Sequence, residues 1–225
     1  MPRVAPERAI GMHHGIEQDL ASAIALFNRG DAAAALRACE AIVQRHPHPG
    51  ALQLKAVLLR SRGALDEALA AIEESLRLRP GHGPSVELAA GLSHEIGRAR
   101  HAAGDTAGAR RPFERCVAWA PGAGEAWFAL ALAQQDLHEL QEARHCLQKV
   151  LALQPKHERA RVNLGIVEQQ LGELDEATRQ FGQASRDDPS TLPRILGALT
   201  SERCGCLWLR VDEATAALAA QPAVL

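Results

Sequence analysis

The chain repeats itself at intervals of about 34 residues. Five prolines follow successive apolar segments, and their separations are 33, 41, 34 and 34 residues. They are Pro47, Pro80, Pro121, Pro155 and Pro189. An alanine lies twelve residues before each proline, at Ala35, Ala68, Ala109, Ala143 and Ala177. An internal period of this length predicts an array of stacked supersecondary units.

Three further columns keep the same phase. Five residues before each alanine lies a turn residue, at Gly30, Gly63, Gly104, His138 and Gly172. Four residues after each alanine lies an apolar or thiol side chain, at Cys39, Ile72, Phe113, Leu147 and Phe181. A very small residue lies in the first half of each unit, at Ala23, Ala56, Gly97, Ala131 and Gly165. The columns predict a helix, a tight turn at the glycine, a second helix and a proline stop.

This pattern resembles the tetratricopeptide repeat, a helix-turn-helix unit of 34 residues. The best copy is the segment 160–177, ARVNLGIVEQQLGELDEA, and the preceding copy adds the tryptophan of the family at Trp127. The resemblance implies an all-α, right-handed α-solenoid of about five units with a C-terminal capping segment. The boundaries it predicts are a flexible N-terminus over 1–13, repeats over 14–47, 48–80, 81–121, 122–155 and 156–189, and capping helices over 190–225.

Some positions depart from the family pattern. Lys55 stands where an apolar residue is usual, and His138 replaces the turn glycine. The mid-helix aromatic residue of the family is replaced throughout, by Leu59, Arg100, Gln134 and Glu168. These departures affect local packing and leave the predicted fold unchanged.

The 41-residue spacing places seven extra residues between Pro80 and Gly97. Seven residues are close to two helical turns, so they lengthen a helix with only about 20° of drift in its facing. We therefore predict that the first helix of the third unit begins near Ser85 and exceeds its siblings by about two turns. The alternative is a loop over 81–85 that takes up most of the excess.

Beyond Pro189 the period fades. Residues 190–200 predict one more helix with Ser190 as its N-cap, and residues 212–220 predict a short final helix. Between them, Leu207, Trp208 and Leu209 form an apolar cluster. Two interpretations of this cluster stay open, because it either covers the last hydrophobic face of the array or forms a contact with a partner or within a dimer.

The resemblance also implies a concave groove, lined by the first helix of each unit, that holds an extended peptide or a helix. The positions carried over to this groove are Leu20, Ile24, Phe27, Gln53, Val57, Arg60, His94, Arg98, His101, Phe128, Leu132, Gln135, Val162, Asn163, Ile166 and Gln169. They give a groove with apolar ends and a basic centre, which suits an amphipathic helix or an apolar peptide with an acidic residue. In the alternative, the C-terminal segment of the chain, including Trp208, fills part of the groove.

Composition excludes several other classes of function. The net charge is −2 with both signs interspersed, so no clustered basic face favours nucleic acid. No apolar run has the length of a membrane span or of a signal-peptide core, and the five cysteines are irregularly spaced. We therefore expect a cytoplasmic protein without metal or cofactor.

No phosphate loop, dinucleotide fingerprint or nucleophile elbow is present in the sequence. The first hypothesis is therefore a non-enzymatic interaction scaffold: an adaptor, chaperone or assembly factor. The second is a regulatory or accessory solenoid of an enzyme, a transferase or oxygenase, on the same or another chain. The imperfect last repeat before Leu225 favours that second hypothesis. A third, weaker hypothesis is a redox or metal response through Cys204 and Cys206.

Overall fold

The structure is a computed structural model that describes the backbone of residues 6–200 and the side chains of residues 15–200. The described backbone is a succession of helices without a β-strand. The α-helices are α1 (Pro6–Asn28), α2 (Ala32–Arg45), α3 (Pro49–Ser61), α4 (Leu65–Leu78), α5 (Gly83–Ala102), α6 (Thr106–Trp119), α7 (Gly124–Asp136), α8 (Leu140–Leu153), α9 (Glu158–Gln170), α10 (Leu174–Asp187) and α11 (Leu192–Thr200). A 3₁₀ turn over Pro189–Thr191 precedes α11.

The chain packs as two compact units, Met1–Ile96 and Gly97–Leu225. In the first unit α1 pairs with α2 and α3 pairs with α4. In the second unit α7 pairs with α8 and α9 pairs with α10. The predicted all-α class of paired helix-turn-helix elements is confirmed.

The alanine column marks where paired helices approach most closely. All five alanines are completely buried: Ala35, Ala68, Ala109, Ala143 and Ala177. Glycine takes the equivalent role on two first helices. A Cβ atom on Gly97 would lie 2.5 Å from the ring of Phe113, and one on Gly165 would lie 2.6 Å from the ring of Phe181. The small and large columns are therefore complementary surfaces of one helix pair.

The turn column adopts the left-handed backbone conformation in every described unit. The positive φ angles are 84° at Gly30, 77° at Gly63, 82° at Gly104 and 83° at Gly172. His138 has a φ of 59° in the same place, the position at which the sequence replaces glycine. The turn therefore keeps its geometry although a side chain is present.

Helix α5 contains the seven-residue insertion. It has 20 residues, whereas α3, α7 and α9 have 13 each, and it begins at Gly83. The predicted two-turn extension is confirmed relative to these three helices, although α1, with 23 residues, is longer still, and the alternative loop over 81–85 is wrong. The helix starts early because Pro84 fits the first turn of a helix, where its missing N–H leaves no hydrogen bond unmade.

Two details at the ends of the array differ from the sequence prediction. Helix α1 begins at Pro6, so residues 6–13, predicted to be a flexible terminus, are helical. The predicted cap at Ser190 is wrong, because Asp188 accepts a hydrogen bond of 2.9 Å from the backbone N–H of Ser190. The cap lies earlier because Pro189 occupies the first position of the turn. The predictions for Leu207, Trp208 and Leu209 and for a helix over 212–220 lie outside the described residues.

Candidate functional site

In the unit Met1–Ile96, helix α1 exposes large apolar side chains. Ile24 is 42% exposed and Phe27 is 38% exposed, one turn further along the helix. Leu20 is half-buried on the same side of α1. The corresponding positions of α3, Gln53 and Val57, are half-buried as well.

The positive charge predicted at the centre of the groove is partly balanced within the chain. Arg60 pairs with Glu95 of α5, and its Nε donates a hydrogen bond of 3.2 Å to that carboxylate. In the unit Gly97–Leu225, His101 Nε2 lies 2.8 Å from a carboxylate oxygen of Asp136. Arg98 is exposed. His94, in the first unit, is half-buried.

Helix α7 contributes Phe128, Leu132 and Gln135. Phe128 is buried, because its ring lies 4.8 Å from the imidazole ring of His157 and 5.0 Å from the guanidinium carbon of Arg159. A cation at this distance over an aromatic face is attracted to it. Leu132 and Gln135 are half-buried. Phe128 therefore packs against the next helix and offers little surface to a ligand.

The four candidate residues of α9 are all buried: Val162, Asn163, Ile166 and Gln169. Helix α11 covers them. Ile195, Ala198 and Leu199 form one apolar cluster with Val162 and Ile166.

Two hydrogen bonds fix α11 on α9. Arg194 donates to the side-chain oxygen of Asn163 over 2.6 Å, and Gln169 donates to the carbonyl of Ala198 over 3.3 Å. Burial lowers the pKa of the Arg194 guanidinium, with a further contribution from Arg159. In the described structure, a ligand therefore reaches these positions of α9 only if α11 moves.

Sequence reasoning did not identify Glu168 as a site of interest, although its column of missing aromatic residues was visible. Glu168 is 2% exposed, and one of its carboxylate oxygens accepts no hydrogen bond from the described part of the chain. Burial raises its pKa to about 7, against an opposing effect of Arg144 and Arg179. Removing a carboxylate from water favours its neutral form.

The described cysteines are core residues. Cys39, Cys116 and Cys146 are buried and unpaired in disulfides. Burial raises the pKa of all three thiols, to about 11 for Cys39 and to about 12 for Cys146. Since the thiolate is the reactive form, burial favours the less reactive protonated form of these side chains.

The described residues contain neither a metal-binding cluster nor a membrane-spanning helix. No three metal-binding side chains of residues 15–200 are grouped as they would be around an ion. Among the helices between residues 6 and 200, none combines the length and the apolar character that crossing a bilayer requires.

Two sequence models of the tetratricopeptide repeat match the chain, over residues 20–82 and 136–201, and together cover more than half of its length. No curated protein sequence matches it. Solved structures with a similar fold include YrrB, described as a TPR protein with an unusual peptide-binding site. YrrB is 17% identical with a TM-score of 0.51, and the match covers 82% of this chain and 90% of YrrB.

MamA is 17% identical with a TM-score of 0.51, over 79% of this chain and 94% of MamA. A tetratricopeptide repeat protein from Parabacteroides merdae is 20% identical with a TM-score of 0.50, over 91% of this chain and 77% of that protein. At these identities the structures support the fold alone. The repeat columns, the helix pairs and the two sequence models together place this chain in the tetratricopeptide-repeat family.

Proposed function

We propose that this chain is a protein-interaction scaffold and that the exposed apolar face of α1 binds a peptide or an amphipathic helix. The single observation that carries the proposal is the exposure of Ile24 and Phe27 on neighbouring turns. Large apolar side chains one turn apart have the same spacing as the apolar residues on one face of an amphipathic ligand helix. We call the surface of Leu20, Ile24 and Phe27 the α1 face.

The α1 face is the preferred part of the candidate groove because equivalent positions on other helices are buried. The equivalent positions of α9, Val162, Ile166 and Gln169, lie beneath α11. In α7, Phe128 packs against His157 and Arg159. Of the groove positions in the described chain, those of α1 therefore keep the most apolar surface for a ligand. YrrB, a similar fold, has a peptide-binding site, which is consistent with this role.

The ion pair of Arg60 limits what an acidic residue of the ligand can contribute to binding. Arg60 already contacts Glu95, so an acidic residue of a ligand would compete with an existing ion pair. Exposed ion pairs of this kind contribute about 0–1 kcal/mol, so the competition is feasible but adds little affinity. We therefore propose that apolar contacts supply most of the binding free energy and that the acidic residue affects selectivity.

The test compares a charged α1 face with a matched control. Ile24→Glu with Phe27→Glu places two carboxylates on the face, whereas Ser22→Glu with Ala25→Glu places two at the same spacing on another side of α1. Proteins captured from a cell extract by both wild type and control, and lost from the face variant, would support the proposal. Equal capture by all three proteins would refute it, and circular dichroism would show whether each variant retains its helices.

A further inference from the structure

A second candidate site is a cleft between α6, α7 and α8, in the unit Gly97–Leu225. The cleft has a volume of about 480 Å³. Its floor consists of the buried residues Val117, Leu130 and Gln134, and the half-buried indole ring of Trp127 forms a wall. Glu114 and Glu142 lie exposed at its rim. We call this surface the α7 cleft.

An equivalent cleft in the unit Met1–Ile96 is lined by a lysine side chain. It lies between α2, α3 and α4 and has a volume of about 360 Å³. Residue numbers in α3 and α4 differ by 75 from their equivalents in α7 and α8, as Ala68 and Ala143 show. Lys55, half-buried in this first cleft, therefore occupies the place of Leu130.

The acidic residues around Lys55 recur in the α7 cleft. Glu67 lines the first cleft and is equivalent to Glu142. Glu40 and Lys55 have opposite effects on the pKa of the Cys39 thiol, the carboxylate raising it and the ammonium lowering it. Lys55 therefore brings a positive charge to a cleft that Glu67 and Glu74 also line.

The next pair of helices, α9 and α10, has basic side chains at the equivalent positions. Thirty-four residues after Trp127 and His145 lie Arg161 and Arg179. Arg179 is close enough to Glu168 to lower the pKa of that carboxyl. Among the described residues that line the α7 cleft, by contrast, none is lysine or arginine.

The α7 cleft holds an acceptor that lacks a donor. Gln134 is only 6% exposed, and its side-chain oxygen accepts no hydrogen bond from residues 15–200. An unsatisfied buried acceptor is unfavourable, so a ligand that donates to it is favoured. Glu114 and Glu142 also raise the pKa of the Cys146 thiol, after the larger effect of burial, which places negative potential at the floor.

We propose that the α7 cleft binds a lysine side chain of a partner protein, at the place that Lys55 occupies in its own cleft. The apolar stem of the lysine lies along Trp127 and Leu130, and its ammonium group donates hydrogen bonds toward Gln134 and Glu142. An ammonium ion has three donors and no acceptor, which matches a site of carboxylates and one amide oxygen. Arg110 lies 3.4 Å from Glu114 on the exposed side of α6, so Glu142 is the main anionic partner.

The test titrates the full chain with acetyl-Gly-Lys-Gly-amide and with its glutamine analogue, followed by two-dimensional ¹H–¹⁵N NMR. We expect the lysine peptide to shift the indole N–H of Trp127 and the side-chain amide of Gln134, with a Kd on the order of 1 mM. Glu114→Gln with Glu142→Gln should weaken binding by about fivefold or more. Binding of the glutamine peptide with equal affinity, or no shift with either peptide, would refute the proposal.

Two control variants distinguish binding at the α7 cleft from nonspecific charge attraction and from binding at the α1 face. Asp175→Asn with Glu176→Gln removes the same charge from α10, and Ile24→Glu with Phe27→Glu alters the α1 face. Both should retain the wild-type Kd. An equal loss of affinity in the α10 variant would overturn the proposal in favour of nonspecific attraction.

An internal test uses the same equivalence between clefts. Leu130→Lys should place an ammonium group in the α7 cleft and lower the denaturation midpoint less than Leu130→Gln does. The difference between the two variants should disappear when Glu114→Gln and Glu142→Gln are added. If lysine is no better tolerated than glutamine at this position, the cleft does not favour a basic side chain.

Discussion

Glu168 shows how a single residue can depart from a repeat pattern at a cost in stability. Its column holds Leu59 in α3 and Gln134 in α7, and the family places an aromatic residue there. The carboxyl group is buried with one unsatisfied oxygen. A buried charge without a full set of partners is unfavourable, so the neutral form predominates up to a pH near its raised pKa.

We predict that Glu168 makes the chain less stable as the pH rises from about 4.5 to about 7. The folded-state pKa, about 7, exceeds the unfolded value, so the folded state binds more protons in this interval. The stabilisation is complete below the unfolded pKa and is lost as the pH passes the folded pKa. Glu168→Gln should remove this contribution, about 1–3 kcal/mol.

Urea denaturation of wild type and Glu168→Gln at pH 5 and pH 8 measures the effect. The variant should be more stable than wild type at pH 8, and the difference should shrink or reverse at pH 5. Taking the difference between the two proteins cancels the pH-dependent contributions that they share. A difference that is the same at both pH values would contradict the assignment of the raised pKa to Glu168.

The candidate site was harder to predict from the sequence than the core columns. A small residue that recurs in phase is buried because two helices approach there, and this depends on local spacing alone. The exposure of Val162 or Ile166 depends on what covers α9. That covering element, α11, follows the last regular repeat, so the repeat pattern could not predict its contact with α9.

At the scale of the element, each helix pair depends on a turn in the left-handed backbone conformation. Four of these turns between residues 6 and 200 use glycine, and His138 adopts the same conformation in the turn between α7 and α8. The sequence made this comparison possible, because His138 stands in the glycine column. A residue with a Cβ atom in this conformation is strained by about 1–2 kcal/mol relative to glycine.

His138→Gly should therefore stabilise the chain by about 0.5–1 kcal/mol, after allowance for the greater unfolded-state entropy of glycine. Gly172→Ala, at the equivalent turn, should destabilise it by a similar amount. Thermal and urea denaturation would measure both. Because a Cβ atom at Gly172 would have open space within 4 Å, a loss there would reflect backbone strain alone.

Helix lengths followed from the sequence where the period was intact. The seven extra residues of α5 were predicted as helix because they preserve the facing of its later turns. The cap at Asp188 was missed because the 3₁₀ turn of Pro189–Thr191 begins before the residue that the spacing suggested. Short turns at the end of an array depend on local hydrogen bonds, to which a column pattern is insensitive.

At the scale of the whole molecule, the stability of each helix should depend mainly on the helices adjacent to it. Phe181 is fully buried in the unit Gly97–Leu225, and Ile72, in the same repeat column, is fully buried in the unit Met1–Ile96. In repeat proteins, most stabilising contacts join adjacent elements. A cavity in one unit should therefore loosen that unit more than the other.

We predict that Phe181→Ala costs about 3–5 kcal/mol and acts mainly on α9, α10 and α11. Native-state hydrogen exchange should show faster exchange in those helices, with α3 and α4 protected as in wild type. Ile72→Ala should give the reverse pattern. Equal acceleration in both units by either variant would show that the chain unfolds as one cooperative body.

The extended helix α5 has a consequence for how such chains change length over evolutionary time. An insertion of seven residues turns the rest of a helix by only about 20°, whereas an insertion of five would turn it by about 140°. The larger rotation would take Gly97 away from the ring of Phe113, which lies too close for a side chain. Insertions in the first helices of related chains should therefore come in sizes near whole helical turns, while those in inter-repeat loops should vary freely.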